Sequence, residues 1–325
     1  MKVTAWVADG GEQMAEACSS IEPVEMTLAH DEASLLAAMP GSEVLVMSGG
    51  HYSAAVAEAL AQPGNSVRWL QFASAGFDKA KRFGVPVGIR LTNASLAFAN
   101  AVAEHAMTLL LALNRRILAS DRARERADWG RDSLLPMLDT VDGQTLVIVG
   151  FGAIGQATAK RAAAFGMQVV VVARTLPAVG GDISAVYPRD RLHDALKLAD
   201  AVVVAIALAE ETQGLIGADA LAAMQPHARL INVARGPVVD EAALIQALST
   251  GWLAGAGLDV FEQEPLPADS VLRRMPNVAI TPHLGGFGGA RVNVKLALLV
   301  AENVARYAHG ETLMHQVDTS AMRSK

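Results

Sequence analysis

The residues Gly150-Phe151-Gly152-Ala153-Ile154-Gly155 stand between an apolar run, Thr145–Val149, and a helix-compatible run that continues through Phe165. At these spacings Gly150 permits a tight turn, Gly152 lets backbone approach a bound diphosphate, and Gly155 lets the following helix pack on the strand. The helix start at Ala153 and Ile154 would face the phosphates with unpaired N–H groups and a partial positive charge. A second apolar run opens at Gln168, and this strand–turn–helix–strand context distinguishes a dinucleotide turn from an ordinary glycine loop. That run ends Val171-Val172-Ala173-Arg174-Thr175, without the Asp or Glu that would accept a hydrogen bond from a ribose 2′-hydroxyl. Arg174 can pair with a 2′-phosphate through its planar fork, and Thr175 can donate its hydroxyl. The strand end therefore predicts NADP(H) as the preferred cofactor, with NAD(H) possible.

Three further segments lie at the ends of apolar runs, where doubly wound folds carry their chemistry. They are Ile231-Asn232-Val233-Ala234-Arg235-Gly236, Leu258-Asp259-Val260-Phe261-Glu262-Gln263-Glu264-Pro265-Leu266 and Thr281-Pro282-His283-Leu284-Gly285-Gly286. Together with Ser74-Ala75-Gly76-Phe77-Asp78, the helix start Val102-Ala103-Glu104 and the glycine turn, they occur in a telling order. In this the chain resembles the D-isomer-specific 2-hydroxyacid dehydrogenase family nearly end to end, and within it the glyoxylate/hydroxypyruvate reductases. The resemblance implies NADPH-dependent reduction of small 2-oxo acids to D-2-hydroxy acids, with glyoxylate and hydroxypyruvate as leading candidates.

That chemistry needs a cation for the carboxylate, a proton donor at the ketone oxygen and a hydride donor on one face of the carbon. Arg235 would supply the cation. His283 would protonate the forming alkoxide, because an imidazole titrates near neutral pH. Glu264 would hydrogen-bond the other ring nitrogen and keep the acid form protonated. Glu262 is the rival carboxylate; the family places its acid directly before the proline, which selects Glu264. By the same resemblance Ser74, Ala75 and Gly76 form a substrate loop whose backbone N–H groups meet the carboxylate, with Arg235 and His283 also touching substrate. Asp259 is expected near the nicotinamide carboxamide, and Thr212 and Val233 near the cofactor. Where the family has a proline, in its proline-leucine-threonine segment, this chain has Ala207, and that contact stays open. His51 and Tyr52 either line the pocket or belong to a plain loop.

Two other activities fit the same motifs: a dinucleotide-sensing, corepressor-like binding protein, and a dehydrogenase of formate or phosphite. The corepressors prefer NAD, and no extended partner-recruiting tail is present here, which favours the reductase.

These residues require elements to hold them. Strand-like and helix-like runs alternate, the pattern of a parallel sheet covered on both faces. In the first hundred residues Val3–Val7, Glu43–Met47, Arg68–Phe72 and Val87–Leu91 read as strands, with helices over Glu32–Met39 and Ser53–Leu60. A long helix is expected over Asn100–Ala119. Six strands follow: Thr145–Val149, Gln168–Ala173, Ala201–Ala205, Ala228–Val233, Gly255–Val260 and Val278–Thr281. A last helix, about Gly289–His309, is expected to return to the first domain. The fold class is therefore α/β, two Rossmann/flavodoxin-like domains. A dinucleotide-binding domain (99–288) is inserted in a discontinuous substrate-binding domain (1–98 and 289–325), with the reactive cleft expected between them.

Composition excludes several partners. Net charge is −6, against the basic surface of a nucleic-acid binder. The basic cluster Arg115, Arg116, Arg122, Arg124 and Arg126 is interleaved with Asp121, Glu125 and Asp128, which reads as a solvated helix face. The longest apolar run, Ala201–Ala209, is about half of the roughly 20 residues a spanning helix requires, so no membrane partner is expected. The amino terminus enters a strand-like run directly, without a signal-peptide pattern. Cys18 is the single cysteine and suits a reducing cytoplasm. No His pair or Cys cluster has metal-ligand spacing. The family resemblance implies a homodimer through the cofactor domain, with the Asn100–Ala119 helix contributing.

Overall fold

The computed structural model describes residues 1–322. The chain divides into two units, Met1–Phe98 with the residues from Phe287 onward, and Ala99–Gly286. Each is a parallel sheet with helices against it.

The first unit contains β1 (Lys2–Trp6), β2 (Glu25–Leu28), β3 (Val44–Met47), β4 (Trp69–Phe72) and β5 (Arg90–Thr92), in the order β2-β1-β3-β4-β5. This is the flavodoxin-type order. Its central strands are apolar on both faces, as an all-parallel sheet requires. One face packs on the helices Glu32–Ala38 and Ala54–Ala61 through Leu35, Val56 and Leu60. The other packs on the helix Ala290–Ala308 through Leu296, Val300 and Val304, which meet Val3, Ala5 and Val44. A buried polar chain ties the carboxyl-terminal segment to this sheet. Trp69 Nε1 donates to Thr92 Oγ1 (2.7 Å), Thr92 to Gln71 Oε1 (2.7 Å) and Asn303 Nδ2 to the same oxygen (3.0 Å).

The second unit contains β6 (Thr145–Val149), β7 (Gln168–Ala173), β8 (Ala185–Pro188), β9 (Ala201–Val204), β10 (Arg229–Asn232), β11 (Gly255–Leu258) and β12 (Val278–Ile280). Their order is β12-β11-β10-β9-β6-β7-β8, with the topological switch between β6 and β9. Val147, Val149, Val172, Val202 and Val204 pack one face against Leu196, Leu221, Met224 and Leu244. Burying each such side chain contributes roughly 1.5–3 kcal/mol, which makes this the main source of the unit's stability.

Several expected boundaries shift. The second sheet has seven strands rather than six, because β8 is a half-exposed edge strand ending in Pro188 and shows no apolar run. β2 and the helix Gly11–Cys18 were likewise invisible; β2 alternates exposed and half-buried residues, and the helix buries only Met14 and Cys18. The strand expected over Val87–Leu91 is Arg90–Thr92, and Val87 is exposed. The long helix spans Ser95–Asn114 instead of Asn100–Ala119; Arg116, at φ 53°, starts a separate helix, Ile117–Glu125. Among the described residues Ser95–Asn114 is also the one helix long and apolar enough to cross a membrane. Half of that stretch is buried within the protein, and its Leu109 faces Gly257 of β11. Its buried residues, Leu109 and Leu110 among them, are core positions of the protein.

Candidate active site

After Val149 the chain turns at Gly150 (φ 99°) into the helix Ala153–Ala164. A Cβ on Gly155 would lie 2.2 Å from the Gly150 carbonyl oxygen, so the first helical turn sits against the strand end at a distance glycine alone allows. A Cβ on Gly152 would meet nothing within 4 Å, and no side chain caps the helix start at Ala153 and Ile154. Uncapped amides beside open space, at the sheet's switch point, fit the pyrophosphate of a nicotinamide dinucleotide. Arg174 and Thr175 leave the end of β7 exposed to solvent.

Arg235, Glu264 and His283 follow β10, β11 and β12, three neighbouring strands whose carboxyl ends lie on one edge. Two loops are held together by Gly236, where a Cβ would fall 1.8 Å from the Phe261 carbonyl carbon. The backbone after Arg235 thus lies directly against the segment that carries Glu264. Glu264 Oε1 accepts the Phe261 amide (3.0 Å), and Oε2 meets His283 Nδ1 at 2.7 Å. Glu262 turns elsewhere and exchanges backbone-to-carboxylate hydrogen bonds with Glu241.

Donating to the Glu264 carboxylate raises the His283 pKa above the usual imidazole value, against burial, which lowers it. Burial raises the Glu264 carboxyl, but the hydrogen bonds from His283 and the Phe261 amide outweigh it and hold the group below its usual value. The positive charge of Arg235 lowers both. The His283 side chain remains 47% exposed, so its second nitrogen is accessible.

His283 has φ 55°, a left-handed conformation that costs a non-glycine residue about 1–3 kcal/mol. Asp259, buried, over-determines it. Its carboxylate accepts from Thr281 Oγ1 (2.6 Å), the Leu284 amide (2.8 Å) and the Gly285 amide (2.8 Å). Its carbonyl accepts the His283 amide (2.8 Å). His105, from the long core helix, joins the same group, 2.8 Å from Thr281 Oγ1 and 3.3 Å from Asp259 Oδ1. The resemblance places Asp259 near the nicotinamide carboxamide, and in the structure its carboxylate also organises the loop that presents His283. His105 and Thr281 were missed by sequence reasoning. The available signal was a histidine on the buried face of a helix, three positions beyond Val102.

The family profile described as D-isomer specific 2-hydroxyacid dehydrogenase, NAD binding domain, matches residues 107–285. A glyoxylate reductase from Thermococcus gammatolerans is 40% identical over 245 residues, covering 73% of this chain and 72% of that one. The chain belongs to the D-isomer specific 2-hydroxyacid dehydrogenases. Two solved members are similar over the whole length. The dehydrogenase family protein from Aeromonas salmonicida has a TM-score of 0.85 at 27% identity, covering 98% of this chain and 99% of that one. The D-isomer specific 2-hydroxyacid dehydrogenase from Xanthobacter autotrophicus, in complex with NADPH and MES, has a TM-score of 0.84 at 28% identity, covering 99% of each chain. As a D-isomer specific 2-hydroxyacid dehydrogenase, the protein is an NAD(P)-dependent oxidoreductase.

Other expected site residues of this dehydrogenase are placed as follows. Thr212 is buried, donates to the Ala207 carbonyl (2.8 Å) and accepts the Ala209 amide (2.7 Å), so its hydroxyl closes the loop after β9. This closure stands where the family's proline is replaced by Ala207. Val233 is buried behind Arg235 at the end of β10. In the first unit Ser74 Oγ accepts the Gly49 amide (3.0 Å) and donates to the Gly76 carbonyl (2.9 Å), locking the turn. Among the described residues neither the Ala75 nor the Gly76 amide donates to a backbone carbonyl. Tyr52 is a core residue: it is buried and donates to the Gly84 carbonyl (2.7 Å). His51 stacks on Trp6 at 4.1 Å.

Proposed function

We propose that this dehydrogenase reduces small 2-oxo acids, glyoxylate or hydroxypyruvate among them, to D-2-hydroxy acids with NADPH. The observation that carries the reading is the 2.7 Å contact between His283 and Glu264, on the loops that follow β11 and β12, next in the sheet after β10, the strand that ends before Arg235. Arg235 binds the substrate carboxylate by a charge-assisted fork and draws the ketone toward His283. His283 gives its Nε2 proton to the carbonyl oxygen as negative charge develops there. Glu264 holds the Nδ1 side, orients the ring and stabilises the charged acid beforehand. Gly150, Gly152, Ala153, Ile154 and Gly155 hold the cofactor's pyrophosphate, and Arg174 with Thr175 its 2′-phosphate. When bound, the nicotinamide supplies the hydride that completes reduction. In the reverse direction His283 takes the proton back. The glyoxylate reductase relative and the NADPH-bound neighbour support this assignment.

Turnover of a panel of 2-oxo acids with NADPH and with NADH tests it. Oxidation of NADPH by glyoxylate or hydroxypyruvate is expected; binding of cofactor without turnover of any 2-oxo acid would favour a dinucleotide sensor. His283→Ala is expected to lower kcat by about 10²–10⁴-fold while cofactor still binds. Near-normal turnover in that variant would remove His283 from the acid role.

The enzyme is further proposed to act as a homodimer. Ile117, Leu118, Trp129, Leu135, Met137 and Leu138 are exposed apolar residues from one stretch of sequence, and packing against a second copy would take them out of water. Sedimentation equilibrium should return twice the mass of the chain, and Leu135→Asp should shift it toward one.

A further inference from the structure

β7 and β8 run parallel with Ala173 opposite Pro188, so Arg174 and Arg189 are the next residues beyond adjacent strand ends. On its other side β7 pairs with β6, Val172 opposite Val149, which puts the glycine turn on the same edge of the sheet. A third charge comes from the loop after β9: Glu211 Oε1 lies 3.7 Å from Arg189 Nη1. Its own backbone amide, and then the charges of Arg189 and Arg174, hold the Glu211 carboxyl below the usual range. Arg189 is three-quarters buried, and its Nε is buried with no hydrogen-bond partner among the described residues. Arg191, the next cation along, is otherwise engaged, bonded to Asp194 and lying over the Tyr187 ring.

One exposed acid therefore meets Arg189 through a single long contact, and Arg174 leaves the adjacent strand end beside it. A loose carboxylate bridge of this kind is weak. A phosphomonoester carries up to twice the charge of a carboxylate and three acceptor oxygens, and it engages arginine forks bidentately. We propose that Arg189 is a second cation for the ribose 2′-phosphate of NADP(H), and that Glu211 is a resident counter-charge which the phosphate displaces. The proposal rests on the assignment of Arg174 to the 2′-phosphate. It makes cofactor choice a balance: NADP(H) gains two arginines and must move one acid, whereas NAD(H) gains nothing from Arg189 and displaces nothing.

Direct binding tests it without reference to turnover. Dissociation constants of the full chain for NADPH, NADH and adenosine 2′,5′-bisphosphate are measured by calorimetry for wild type, Arg174→Ala, Arg189→Ala and Glu211→Gln. Loss of a charged hydrogen-bonding partner should weaken NADPH and the bisphosphate on the order of tenfold to a hundredfold in Arg189→Ala, with NADH changed less than about twofold. Glu211→Gln should tighten NADPH by about two- to fivefold, because the competing charge is gone. Equal losses for both cofactors in Arg174→Ala would overturn the 2′-phosphate site as a whole. A selective loss in Arg174→Ala with none in Arg189→Ala would overturn the role of Arg189 alone. Weaker NADPH binding in Glu211→Gln would overturn its role as displaced counter-charge. Should Arg189→Ala fail to fold, Arg189→Lys decides, since it keeps the charge and loses the fork: selective weakening supports the site and unchanged affinity opposes it.

Discussion

Glu264 does more than orient a ring, because it decides the pH at which His283 still carries its proton. Reduction requires the protonated form, and the folded-state pKa of His283 lies above its free value. Reductase activity should therefore persist above the pH at which a free imidazole loses its proton, and fall as pH rises through that raised value. Glu264→Gln removes the ionic partner, so the alkaline limb of kcat/KM for reduction is expected to move toward lower pH. An unmoved limb would mean that another group titrates. The proposed trio of Arg235, Glu264 and His283 stands out in the sequence because three polar residues of suitable types follow three apolar runs. The residues behind them were less legible. Asp259 sat inside a quoted motif, yet its hydrogen bonds to Thr281, Leu284 and Gly285 exist only once β11 and β12 are neighbours. His105 is 154 positions from Asp259 along the chain (259 − 105) and 3.3 Å from it in space.

Strands with apolar runs were placed well, since a buried parallel strand cannot be written in polar residues. β2 and β8 were not, because an edge strand needs fewer apolar side chains and β8 even tolerates Pro188. Loop-to-loop contact was equally hidden. Nothing in the string Arg235-Gly236-Pro237 says that its backbone will touch Phe261, although that contact sets the spacing between Arg235 and Glu264. Gly236→Ala forces a methyl group into the Phe261 carbonyl, and overpacking of this kind costs about 1–3 kcal/mol or more. Its melting temperature should fall by roughly 2–4 °C per kcal/mol. Because the shift separates the two catalytic loops, kcat should drop further than the stability loss alone explains. A variant with wild-type kcat would show that this packing does not set the site.

The first unit is assembled from both ends of the chain. Leu296, Val300 and Val304 fill one face of its sheet, and Asn303 reaches Gln71 across 232 positions of sequence. Leu296→Ala should therefore cost about 2–5 kcal/mol, read as a lowered midpoint in calorimetry, although residue 296 is remote in sequence from every strand it supports. The sequence suggests such a split through a glycine turn in mid-chain and a last helix after the sixth strand; the polar fastening is hidden there, since Gln71, Thr92 and Asn303 look like surface residues in a string. The arrangement has a consequence for biosynthesis. On a ribosome the segment with residues 99–286 emerges complete while the amino-terminal strands still lack the helix that covers them. Those strands must wait, with Val3, Ala5 and Val44 uncovered, until the helix Ala290–Ala308 has been made. The first unit can thus complete its core only after residues 99–286 have been made, and chaperone binding to nascent chains should concentrate on the first hundred residues until residues 290–308 emerge.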